Sequence, residues 1–112
     1  MPVPTDMKPR WFHILLSLAA GPRHGLAVMR EVRQSSNGAM HLWPATLYGS
    51  LDELMDLGWI QEIGAAVRPP DTSERRRYYG LTRAGRAALE SETRRLADLV
   101  RLARQAVRRE QT

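Results

Sequence analysis

The side chains best equipped for chemistry in this chain are arginines, hydroxyls and phenols, gathered in two short stretches. Arg75-Arg76-Arg77 runs straight into Tyr78 and Tyr79, and the earlier segment Pro44-Ala45-Thr46-Leu47-Tyr48-Gly49-Ser50 carries Thr46, Tyr48 and Ser50. A guanidinium makes bidentate contacts with phosphates and guanine edges. Hydroxyls and phenols bond phosphate oxygens, and a glycine lets the backbone come close. The chemistry implied is recognition of a polyanion, with Ala45, Thr46, Tyr48, Gly49, Ser50, Arg75, Arg76, Arg77 and Tyr79 as contact residues.

Bond-making chemistry has no comparable signature. Ser35, Ser36 and Ser73 lie in turn-like sequence, without the strand-turn-helix context of a catalytic serine. The glycines mark helix ends and turns and form no phosphate-binding loop, and Asp52, Glu53 and Asp56 read as a solvated helix face. His13, His24 and His41 are too scattered to form a metal-ligand pair on one helix face, and there is no cysteine to ligate zinc or form a disulfide. No catalytic residue, metal or cofactor is expected.

The bulk composition agrees. At 112 residues, 43% hydrophobic and 26% charged, the chain has the size and balance of one globular domain. Its formal net charge is +5 and its pI about 10.7; Lys8 is the only lysine, so arginine carries the charge. A basic balance favours a polyanionic partner. The longest apolar run, Phe12 to Ala20, is interrupted by His13 and Ser17 and is too short to span a bilayer. Met1 to Lys8 holds two prolines and an acidic residue, unlike a secretory signal. The expectation is a soluble cytoplasmic protein with no membrane partner.

The elements that must position these residues follow from periodicity. Residues 1–9 read as a flexible arm. Trp11, Ile14, Leu15 and Leu18 share one face of a first helix that starts near Arg10 and stops at Gly21-Pro22. Leu26, Val28, Met29 and Val32 mark a second helix over His24–Gln34, closed by Ser35-Ser36-Asn37-Gly38. Pro44 suits the first turn of a third helix, whose buried stripe is Leu47, Leu51, Leu54 and Met55 and whose end is Gly58. Trp59–Ile63 and Arg77–Leu81 read as two strands around a loop over Gly64–Glu74. Thr82 is a candidate N-cap for a last helix over Arg83–Arg109.

This order gives a mainly α fold with a small two-stranded hairpin: a winged helix-turn-helix over residues 10–82, then a C-terminal helix over 83–112. In such a module the helix after the turn enters the major groove by its N-terminal end. The basic hairpin would lie along the adjacent backbone. The last helix carries an apolar seam of Leu89, Leu96, Val100, Ala103 and Val107, widened by Leu99, Leu102 and Ala106. A helix this long outruns the rest of the chain, so its seam is expected to pack on a second copy. Trp11, Trp43 and Trp59 are candidates for an aromatic pocket holding a small hydrophobic effector.

Four segments resemble the PadR family of bacterial transcriptional regulators over Phe12 to about Gln105. They are Ile14-Leu15-Leu16-Ser17-Leu18 with Gly21-Pro22-Arg23-His24-Gly25; Pro44-Ala45-Thr46-Leu47-Tyr48; Leu54-Met55-Asp56-Leu57-Gly58-Trp59-Ile60; and Arg76-Arg77-Tyr78-Tyr79-Gly80-Leu81-Thr82-Arg83-Ala84-Gly85. The resemblance implies a homodimeric winged-helix repressor that binds an inverted-repeat operator in double-stranded DNA and is often released by a small molecule. The short C-terminal part looks like the subfamily whose dimer rests on one long helix. Leu26 stands where the family usually has an aromatic residue, and Ser50 near where it often has proline. The last helix has no aromatic residue, which argues against a ligand stacked between paired helices. A winged-helix protein-protein adaptor is the alternative reading; an RNA-binding module would need an aromatic sheet surface for stacking bases.

Overall fold

The computed structural model of the chain describes residues 6–64 and 77–111. Four helices and a small antiparallel sheet succeed one another as α1 (Pro9–Leu18), β1 (Arg23–His24), α2 (Gly25–Ser35), α3 (Pro44–Asp56), β2 (Ile60–Ile63), β3 (Tyr78–Leu81) and α4 (Arg83–Gln111). The sheet has three strands in the order β1-β3-β2, not the two expected. The extra strand is only two residues long, too short to leave a period in the sequence. It pairs Arg23 with Tyr79 and His24 with Tyr78, and so ties the start of α2 to the wing. Across the hairpin Ile60 faces Leu81 and Glu62 faces Tyr79.

Each helix begins and ends for a local reason. Pro44 opens α3 where its missing N–H has no bond to lose. Gly58, at φ +76°, closes it: Gly58 N–H donates to Met55 and Trp59 N–H to Leu54, a left-handed cap that turns the chain into β2. His24 caps α2 by accepting from the Ala27 N–H through Nδ1 at 3.2 Å. Thr82 caps α4, its Oγ1 accepting from the Gly85 N–H at 3.0 Å while donating to the Gly58 carbonyl. Gly85 itself lies flat against the backbone carbonyl of Trp59, so the start of α4 is clamped onto the junction between α3 and β2.

The core sits among α1, α2, α3 and the inner face of the sheet. Ile14, Leu15, Val28, Val32, Leu47, Leu51 and Leu54 are fully buried in it, and Leu89 joins from the first turns of α4. Each such side chain contributes about 1.5–3 kcal/mol relative to leaving it in water. Met7 packs against this core and Pro9 is the first residue of α1, so the chain is docked from residue 7 rather than loose through residue 9. No helix among the described residues is long and apolar enough to cross a membrane.

Candidate nucleic-acid interface

Helix α3 buries Leu47, Leu51 and Leu54 and presents Ala45, Thr46, Tyr48 and Gly49 to solvent at its N-terminal end. Ser50 corrects the sequence reading. It is 1% exposed, and its Oγ accepts from Arg10 Nε at 3.0 Å. Its spacing from Leu47 and Leu54 is three and four residues, which places it on the buried stripe. Ser50 therefore joins α3 to α1 and offers nothing to a groove.

Tyr48 is 45% exposed, and its ring lies over Gly25 at the start of α2. The phenol is thus held between the two helices of the helix-turn-helix, with its outer face free.

On the wing, Arg77 Nε donates to Glu62 Oε1 at 2.6 Å, and the guanidinium stands 5.8 Å from the centre of the Tyr79 ring. The bond it donates to the Glu62 carboxylate holds the Arg77 pKa above its ordinary value. Tyr79 is a second correction: it is buried in the core, alternating in phase with Leu81, and its phenol is pushed up by burial. It supports the wing from beneath instead of touching a partner. Arg75 and Arg76 lie outside the described residues.

The sequence reading missed Glu53. Its Oε1 accepts from Trp11 Nε1 at 3.1 Å and from Arg10 Nη2 at 3.4 Å, and its Oε2 from Lys8 Nζ at 3.3 Å. The indole N–H, then the Lys8 bond and the charges of Lys8 and Arg10, hold this carboxyl below its usual range against partial desolvation. Glu53 fixes the orientation of α3 on α1. Nothing local in the sequence signals it, since its partners lie some forty residues upstream.

The three tryptophans do not form one pocket. Trp11 and Trp59 pack edge to face in the core, centroids 6.0 Å apart, whereas Trp43 is 69% exposed and meets only His41 in a ring contact among the described residues. A small cleft of about 180 Å³ does open beside Trp59, lined by Asp6, Met7, Ala88, Ser91, Glu92 and Arg95. No group of three or more His, Cys, Asp or Glu side chains among the described residues could hold a metal ion.

The C-terminal seam divides in two. Leu89 is buried against the core of its own chain, so it is a core residue and not a seam residue. Beyond it Leu96 is half-buried, and Leu99, Val100, Leu102, Ala103 and Val107 are exposed. With 29 residues at about 1.5 Å each, α4 is roughly 43 Å long.

Comparison with known proteins bears on this arrangement. The sequence profile of the transcriptional regulator PadR-like family matches residues 14–91, well over half of the chain. A PadR family transcription regulator from Clostridium difficile superposes with a TM-score of 0.72 at 21% identity, over 89% of this chain and 99% of that one. Bacillus subtilis PadR, solved in complex with operator DNA, superposes with a TM-score of 0.63 at 20% identity, over 77% of this chain and 47% of that one. At such identities the likeness is one of fold. An uncharacterised 37.1 kDa protein of a Streptomyces fradiae transposon is 38% identical over 86 residues, 77% of this chain. The chain spans 22% of that curated relative's length. The chain belongs to the PadR-like family of transcriptional regulators, which is not a family of enzymes.

Proposed function

We propose that the chain is a sequence-specific, double-stranded-DNA-binding repressor that acts as a homodimer. The observation that carries this reading is the solvent-facing N-terminal end of α3, where Ala45, Thr46, Tyr48 and Gly49 stand clear of the core beside a wing edged by Arg77. In a helix-turn-helix this end reads base edges, and the wing holds phosphates. Arg75 and Arg76 would add to the wing's grip. Leu96, Val100, Ala103 and Val107 would pack against the same residues of a second copy. Two recognition helices of such a dimer would sit about 34 Å apart, matching an inverted repeat one turn apart. Release by a small hydrophobic molecule is part of the reading. The cleft beside Trp59 borders α4 through Ala88, Ser91, Glu92 and Arg95.

The test is selection of duplexes from a random pool, followed by titration of the selected and an unselected duplex over salt. A selected inverted repeat, preferred at physiological salt, supports the reading. Arg75→Ala with Arg76→Ala should weaken binding to both duplexes and flatten the salt slope by about two. Absence of binding even at low salt would favour the adaptor reading.

A further inference from the structure

Trp43 is the most exposed of the large hydrophobic side chains described, 69% open to solvent, although Trp11 and Trp59 of the same chain are buried. It is also held. Its backbone stands at φ −71° and ψ 154°, its carbonyl accepts from the Leu47 N–H at 2.8 Å, and it is the residue on which α3 starts. The His41 ring meets the indole at 4.4 Å between centroids, with the planes 63° apart. The backbone under the indole is fixed and the His41 ring lies against one side of it, so it has less rotamer freedom to lose on binding than an indole with no neighbour. It is therefore suited to contact.

The surroundings select the occupant. Pro44, Ala45, Thr46 and Gly49 beyond it are small and exposed, so the indole and the half-exposed Tyr48 ring are the bulky side chains described at this end of α3. From Val32 to Leu51 the chain carries no carboxylate, and Arg30 and Arg33 are exposed on the helix leading into the turn. A polyanion meets no carboxylate from that stretch of the chain. An apolar protein partner would need a wider patch than these two rings. Duplex DNA does offer isolated apolar surface between phosphates, in its deoxyribose faces and thymine methyl groups.

We infer that Trp43 is a DNA-contact residue, whose indole lies against a deoxyribose or thymine methyl at the edge of the half-site while His41 holds it in place. This inference rests on the DNA-binding reading above. It adds an apolar contact to an interface otherwise made of the Thr46 hydroxyl, the Tyr48 phenol and arginines.

The experiment uses the full chain and the duplex selected from the random pool. With Trp11 and Trp59 buried, acrylamide quenches chiefly Trp43, so quenching reports on one residue. Saturating duplex should reduce quenching severalfold. Trp43→Ala should weaken binding on the order of tenfold, as for an aromatic anchor at an interface, and Trp43→Phe should recover most of the loss. Circular dichroism of both variants should match the parent, since the side chain is 69% exposed. If the parent binds the duplex and Trp43 stays as quenchable as before, the inference is overturned while DNA binding stands. Unchanged affinity of Trp43→Ala overturns it equally. Failure to select any duplex removes both readings.

Discussion

The Tyr48 ring lies so close over Gly25 that a Cβ added to the glycine would stand 2.6 Å from the phenol oxygen. Two helices of the recognition unit are thereby set by one contact: α2 must begin with a residue lacking a side chain for the α3 phenol to rest there. Gly25→Ala should leave stability within about 1 kcal/mol, because alanine favours the helix and the tyrosine can swing away. It should nevertheless reduce affinity for the selected duplex, since Tyr48 is displaced from its seat. Thermal unfolding and duplex titration on the same variant separate the two effects; unchanged affinity would exclude Tyr48 from the interface.

Gly85 behaves in the opposite way. Its neighbour is the Trp59 backbone carbonyl, which cannot rotate aside as a side chain can. Gly85→Ala should destabilise the fold by about 3 kcal/mol, the upper range of overpacking. Loss of the Thr82 cap in Thr82→Ala should cost about 1 kcal/mol. Denaturant titration gives both numbers, and the ranking of the two variants is the decisive feature.

Glu53 should give the fold part of its acid sensitivity. Its pKa in the folded chain lies below the unfolded value, chiefly through the Trp11 N–H. The stabilisation is therefore present above the unfolded carboxylate pKa and is lost as pH falls through the folded one. Glu53→Gln should be less stable than the parent at neutral pH and should lose less on acidification. Glu92, lowered by Arg95, would retain its own share of the acid limb. The Glu53 side chain is 40% exposed, so added salt should shrink the difference. Parallel acid limbs for parent and variant would remove Glu53 from this role.

Leu89 and Val100 should separate folding from assembly. Leu89 is 9% exposed within the single chain and Val100 is 48% exposed. Leu89→Ala should destabilise the fold by about 2–5 kcal/mol. Leu96→Glu with Val100→Glu should leave the α1–α3 core intact but give monomers in sedimentation. A folded dimer surviving those two charges would place the subunit contact elsewhere.

Much of this molecule is local and so was legible in the residues themselves. The three-four spacing of Trp11, Ile14, Leu15 and Leu18 sets the buried face of α1. Pro44, Gly58 and Thr82 mark helix ends because each acts on its own backbone or that of its immediate neighbours. The exposed part of the α4 stripe was legible for the same reason. Periodicity says which side of an element is apolar, but it does not say what covers that side. That required the fold. Ser50 is claimed by Arg10 across 40 residues of sequence, and Glu53 by Lys8 across 45. Tyr79 is taken into the core, β1 forms only because β3 is beside it, and Leu89 finds its partners within its own chain. Trp43, alike in type to Trp11 and Trp59, is left in solvent at the start of α3, whereas those two pack against each other in the core. Contacts between segments far apart in the chain decide these cases, and no window of neighbouring residues contains them.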